Sequence, residues 1–123
     1  LTVSSIEANA FSDCTSLKNI DLPWTKLTEI SESLFYGCSG LERITIPENV
    51  SLIDSGAFSN CTNLKEIKFS ASVKKINWGA FNNCTNLTTV IFAGTTEQWK
   101  SISVDNYNDE NNYLLNAKIN YLQ

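Results

Sequence analysis

Over 123 residues, 42% hydrophobic and 18% charged side chains supply enough apolar surface for one packed domain and exclude a disordered chain. A formal net charge of -4 and a pI near 4.7 exclude a sequence-independent phosphate binder, which needs a basic face, so no nucleic-acid partner is expected. No apolar run reaches the roughly 18 residues of a membrane-spanning helix, and the lack of any histidine removes the commonest general base and metal ligand.

One period organises the chain. Cysteines stand at Cys14, Cys38, Cys61 and Cys84, in steps of 24, 23 and 23 residues. Phe11, Phe35, Phe58 and Phe81 keep the same step, and so do Leu17, Leu41, Leu64 and Leu87. A repeat of this length predicts stacked coils of a solenoid. Residues 1–16 are the back half of a partial repeat, carrying Val3, Ile6, Ala10, Phe11 and Cys14. Full repeats follow at 17–40, 41–63 and 64–86, then the opening strand of a last repeat at 87–92 and a C-terminal cap at 93–123.

Each repeat opens on Leu-x-x-Ile-x-apolar, where apolar and polar residues alternate with the period of a half-buried strand. Ile20 with Leu22, Ile44 with Ile46, Ile67 with Phe69 and Val90 with Phe92 are the inward pairs. Strands from successive repeats should therefore pair as a parallel sheet. Pro23 and Pro47 follow their strands directly, where proline ends a ladder without breaking it. The first full repeat carries one extra residue, between Leu22 and Leu27, in the turn that can absorb it. Each repeat closes on a small or apolar residue, then Phe-x-x-Cys-x-x-Leu. Apolar residues three apart predict a short helical or 3-10 turn on the opposite side.

After Phe92 the period breaks. Thr95 and Gln98 have the spacing of a capping box at a helix start. Trp99 and Ile102 share one face of that helix and should cover the core of the last repeat. Residues 103–112 read as a polar loop and 118–122 as a final strand, with Ile119 and Tyr121 on one side.

Leu-x-x-Ile-x-Ile-Pro with Ala-Phe-x-x-Cys at a 23-residue period resembles the BspA-like leucine-rich repeats of bacterial surface proteins. The resemblance covers nearly the whole chain, and the stretch from Gly94 to Tyr121 looks like the C-terminal cap of those proteins. It implies an α/β solenoid on a bacterial cell surface, outside the cell, that adheres to host or neighbouring-cell components. The chain starts at Leu1 inside a repeat, so upstream repeats of a longer protein are expected. The open N-terminal sheet edge should then be paired with another molecule or frayed.

Residues that could carry chemistry have plainer readings. The four cysteines form a ladder without histidine, which does not suit zinc. Buried free thiols fit best, with a disulfide between neighbours as the alternative. The acidic stretch from Asp105 to Glu110 lacks the glycine of a calcium loop and has Tyr107 where a ligand is needed. The triplets at Asn60, Asn83 and Asn86 match a glycosylation acceptor but recur because the repeat recurs. No catalytic residue, metal or cofactor is expected.

Binding candidates are the outward strand positions Asn19, Asp21, Arg43, Thr45, Glu66, Lys68, Thr89 and Ile91. Their charges cancel, so a solvated sheet face with cross-strand pairs is equally consistent. Three aromatics stand off the template: Trp24, Tyr36 and Trp78. They suit contact residues, or rings lying flat on a neighbouring repeat. The expected role is a non-enzymatic interaction module that presents a rigid curved face to a protein or glycan partner. A structural spacer and terminal cap is the alternative.

Overall fold

A computed structural model of the protein describes residues 3–22 and 26–122. The chain winds through successive coils, and each coil adds one strand to each of two parallel sheets. The first sheet contains β1 (Asn19–Ile20), β3 (Arg43–Thr45), β5 (Glu66–Ser70), β7 (Thr89–Ala93) and β9 (Lys118–Leu122), in that order. The second contains β2 (Glu29–Ile30), β4 (Leu52–Ile53), β6 (Lys75–Ile76) and β8 (Ser103–Val104).

Register follows the repeat. Ile20, Ile44, Ile67, Val90 and Ile119 form one inward ladder, and Phe69, Phe92 and Tyr121 another. Repeat-equivalent side chains lie over one another because a 23-residue step returns the chain to the same azimuth. The phenylalanines make this plainest. Phe11, Phe35, Phe58 and Phe81 stack with centroids 5.7, 5.4 and 5.3 Å apart and planes within 14° of parallel. The last three are fully buried, as are Cys38, Cys61 and Cys84 beside them.

The second sheet was not foreseen. Its strands are two residues long; β2, β4 and β6 are drawn from the Leu27-to-Ile30, Val50-to-Ile53 and Val73-to-Ile76 segments, and β8 from the tail. Two residues are too few to display an alternating period. Pairing between coils, not local propensity, makes them strands.

The Phe-x-x-Cys segment keeps the expected three-residue bonds: Leu34 N, Tyr36 N and Cys38 N donate to Ser31 O, Ser33 O and Phe35 O. No helix grows from them, because two residues per coil are left-handed. They are Asn9 and Asp13, Ser33 and Gly37, Gly56 and Asn60, then Gly79 and Asn83. Left-handed backbone suits Gly, Asn and Asp. It also turns amides along the solenoid axis. Phe11 N, Phe35 N and Phe58 N donate to Leu34 O, Ala57 O and Ala80 O of the next coil at 3.0, 2.8 and 2.7 Å.

Beyond the repeats, α1 (Thr96–Lys100) starts in the expected capping box. Gln98 N donates to Thr95 Oγ1 at 3.1 Å, and Thr95 N donates to Gln98 Oε1 at 2.9 Å. Trp99 packs on Phe69 and Phe92, at 5.8 and 5.3 Å between centroids, and Ile102 joins the core. Residues 103–112, expected to be a loop, instead hold β8, a 3-10 turn at Tyr107–Asp109 and the start of α2 (Asn112–Leu115). Polar composition concealed this, because the ordering groups are asparagine side chains. Asn111 is fully buried. Its Oδ1 accepts from Phe81 N at 2.9 Å, and its Nδ2 donates to Asn77 O at 3.0 Å and Asp105 O at 2.7 Å. One side-chain amide thus supplies the acceptor that the next coil supplies elsewhere.

Candidate functional site

The first sheet aims its inward rows at the core and its outward rows at solvent. One outward row reads Asn19, Arg43, Glu66, Thr89 and Lys118 along the paired strands. The next reads Thr45, Lys68, Ile91 and Asn120. Asp21 is exposed one step beyond the end of β1. Seven of the eight outward candidates therefore lie in two adjacent rows, with Asp21 at the margin. Lys118 and Asn120 were missed. They alternate with Ile119 and Tyr121, so a strand reading of 118–122 carried the signal, but only the pairing of β9 with β7 places them on this face.

Arg43 Nε lies 4.0 Å from Glu66 Oε2, with 61% and 35% of the side chains exposed. At that length and exposure the pair is worth about 0–1 kcal/mol, so both groups remain available to a partner. A shallow depression of about 400 Å³ runs over Asn19, Asp21, Arg43, Thr45 and Glu66.

The turn side carries a second depression, of about 270 Å³, and two of the off-template aromatics meet there. Tyr36 is 38% exposed and Trp78 46%. They occupy different template positions on coils two apart, and between them the middle coil offers Ser55, Gly56 and Ser59 as a floor, with Asn60 at its edge beside Tyr36. Tyr36 Oη accepts from Asn60 Nδ2 at 3.0 Å, and Asn60 Oδ1 accepts from Asn83 Nδ2 at 2.9 Å. Two of the asparagines of the apparent glycosylation triplets thus brace the turns. Glu32 and Glu110 complete the rim. Trp24 lies outside the described residues.

The thiols are free. Cys38, Cys61 and Cys84 donate to the carbonyls of Phe11, Phe35 and Phe58 in the preceding coil, at 3.0, 3.1 and 3.0 Å. Burial is the main cause that raises all three from the ordinary thiol range, and it takes Cys84 to about 12. Such thiols are neutral and unreactive at neutral pH. Asp105 Oδ1 accepts from Tyr107 N at 3.1 Å, so the acidic stretch begins in a side-chain-braced turn. Among the described residues, no group of three or more acidic, cysteine or histidine side chains is placed to hold a metal. No helix among them is long and apolar enough to cross a membrane.

A family model for the BspA type leucine rich repeat region matches residues 1–110 in six copies. The chain belongs to the BspA-type leucine-rich repeat family. Solved structures agree. A leucine rich cell surface protein from Faecalibacterium prausnitzii A2-165 superposes with a TM-score of 0.80 at 41% identity, over 84% of this chain and 27% of that one. A leucine-rich repeat protein from Bacteroides ovatus ATCC 8483 gives 0.70 at 28% identity, over 95% of this chain and 28% of that one. The leucine rich repeat protein of T. pallidum gives 0.66 at 25% identity, over 94% and 44%. No curated protein sequence matches. The BspA-type coils described here thus span 27% to 44% of the length of those three proteins.

Proposed function

We propose that this chain is a non-enzymatic interaction module of an extracellular, bacterial cell-surface protein, and that it adheres to a protein or glycan partner through the outward face of its first sheet. The observation that carries the reading is the pair of solvent-facing rows from Asn19 to Lys118 and from Thr45 to Asn120, held at strand spacing by an unbroken five-strand register. A face so held loses little entropy when it binds. Support for the location comes from the similar cell-surface protein of F. prausnitzii. Upstream repeats of the same chain would pair along β1, the edge strand of the sheet, and a partner molecule could pair there in their place.

The test is a titration against purified host extracellular proteins and glycans, with Arg43, Glu66 and Lys68 changed together in a second protein. A partner bound by the unmodified chain and at least about tenfold more weakly by the variant, a loss of about 1.4 kcal/mol, is expected. Equal binding by both would remove the sheet face from consideration.

A further inference from the structure

The groove on the turn side is built by substitution within the repeat. At the position before the first left-handed residue the three coils carry Glu32, Ser55 and Trp78, and at the position after the phenylalanine they carry Tyr36, Ser59 and Asn82. Small side chains in the middle coil leave a trough. Tyr36 and Trp78 stand at diagonally opposite corners, about 10 Å apart along the axis at two coil spacings of roughly 4.8 Å. Glu110 enters from the tail. A β-carbon at Gly79 would come within 3.2 Å of its Oε2, so the carboxylate sits directly over the trough wall. Glu32 faces it from the other end.

Charge selects the occupant. No lysine or arginine lines the trough. The only ion pair among the described residues is Arg43 with Glu66, on the other face, so both carboxylates lack a cationic partner. Two uncompensated carboxylates beside two half-exposed π faces suit a planar cation, which stacks on indole or phenol and bonds carboxylate with two parallel N–H donors. The chain's net charge of -4 would draw such a group in.

We propose that this groove receives an arginine side chain of a partner polypeptide, stacked on Trp78 and paired with Glu32 or Glu110. The proposal rests on the reading of the chain as an interaction module, but it does not depend on the sheet face.

The probe is an acetylated, amidated Gly-Gly-Arg-Gly-Gly peptide, added at low salt to the 123-residue chain while the three tryptophan indole N–H signals are followed by NMR. The Trp78 signal, assigned with Trp78→Phe, should move saturably while that of Trp99 stays. Glu32→Gln with Glu110→Gln should weaken binding about fivefold without lowering the melting temperature, and about 0.3 M salt should weaken it similarly. Lysine in place of arginine should bind more weakly. No movement of the Trp78 signal, or binding that survives both the double substitution and salt, would overturn the proposal. Movement with chitotriose but none with the peptide would also overturn it, and would make the groove a sugar site. A sheet face that binds nothing leaves this readout unchanged, because the Trp78 indole reports only the groove.

Discussion

Cys84 shows how a residue in a ladder acquires its chemistry from its neighbours. Its thiol points at Phe58 O, is fully buried and titrates near 12 instead of near 9.0. Between those values the unfolded chain has lost this proton while the folded chain keeps it, so stability must fall as pH rises. The contribution is complete below about pH 9 and is lost progressively towards pH 12. Denaturant midpoints measured from pH 8 to 10.5 should show the unmodified chain losing on the order of 2 kcal/mol more than Cys84→Ala. Parallel pH profiles for the two proteins would mean that the thiol is not held neutral by burial. The cysteine ladder was legible from spacing and from the absence of histidine. What the thiols bond to was not, because the carbonyl lies 26 or 27 residues away, in the preceding coil.

The elements are short, and their partners decide their form. β2, β4 and β6 have two residues each and exist because equivalent residues pair across coils. The tail joins this scheme at three points: β8 continues the second sheet, β9 continues the first, and Asn111 satisfies Phe81 N between them. We propose that residues 93–123 act in this way as the terminal cap. Asn111→Ala would leave Phe81 N and Asp105 O without their partner in a buried site, while Asn77 O keeps its bond from Ala80 N, at about 1–3 kcal/mol for each group left unsatisfied. A loss of at least about 2 kcal/mol in chemical denaturation is expected. Asn111→Asp, which keeps an acceptor for Phe81 N but sets a buried carboxylate against the carbonyls of Asn77 and Asp105, should cost at least as much as Ala. A loss below 1 kcal/mol for Asn111→Ala would show that the cap holds without this link. Strand 118–122 and the capping box at Thr95 were readable from alternation and spacing. Asn111 was not, since nothing local distinguishes it from the asparagines around it.

Across the whole molecule, contacts run from each coil to the next, so stability should grade along the axis. Phe35, Phe58 and Phe81 are fully buried, whereas Phe11, Cys14, Leu17 and Ile20 are only partly so. Native-state hydrogen exchange should therefore find the slowest amides between residues 41 and 92 and faster exchange between residues 3 and 20. Protection that is uniform from residue 3 onward would mean that the coils open only together. The same axial order ranks the surfaces. The sheet face repeats the template and was visible at each outward position of the repeats, though not at Lys118 and Asn120 in the tail, whereas the groove arises where three coils depart from it. Tyr36 and Trp78 could be singled out as departures, but their meeting over Ser55, Gly56 and Ser59 required the coils to be stacked in register.

By itself the sequence determined the solenoid, the inward ladders, the alternating strands of the first sheet and the family, because each follows from a period that chemistry enforces at every turn. Tertiary structure alone decided the second sheet, the left-handed turns that bond along the axis, the seat of Asn111 and the convergence of Tyr36, Trp78, Glu32 and Glu110. These depend on contacts between residues about 23 or more apart, where the partner is set by the stacking of coils and not by any local pattern.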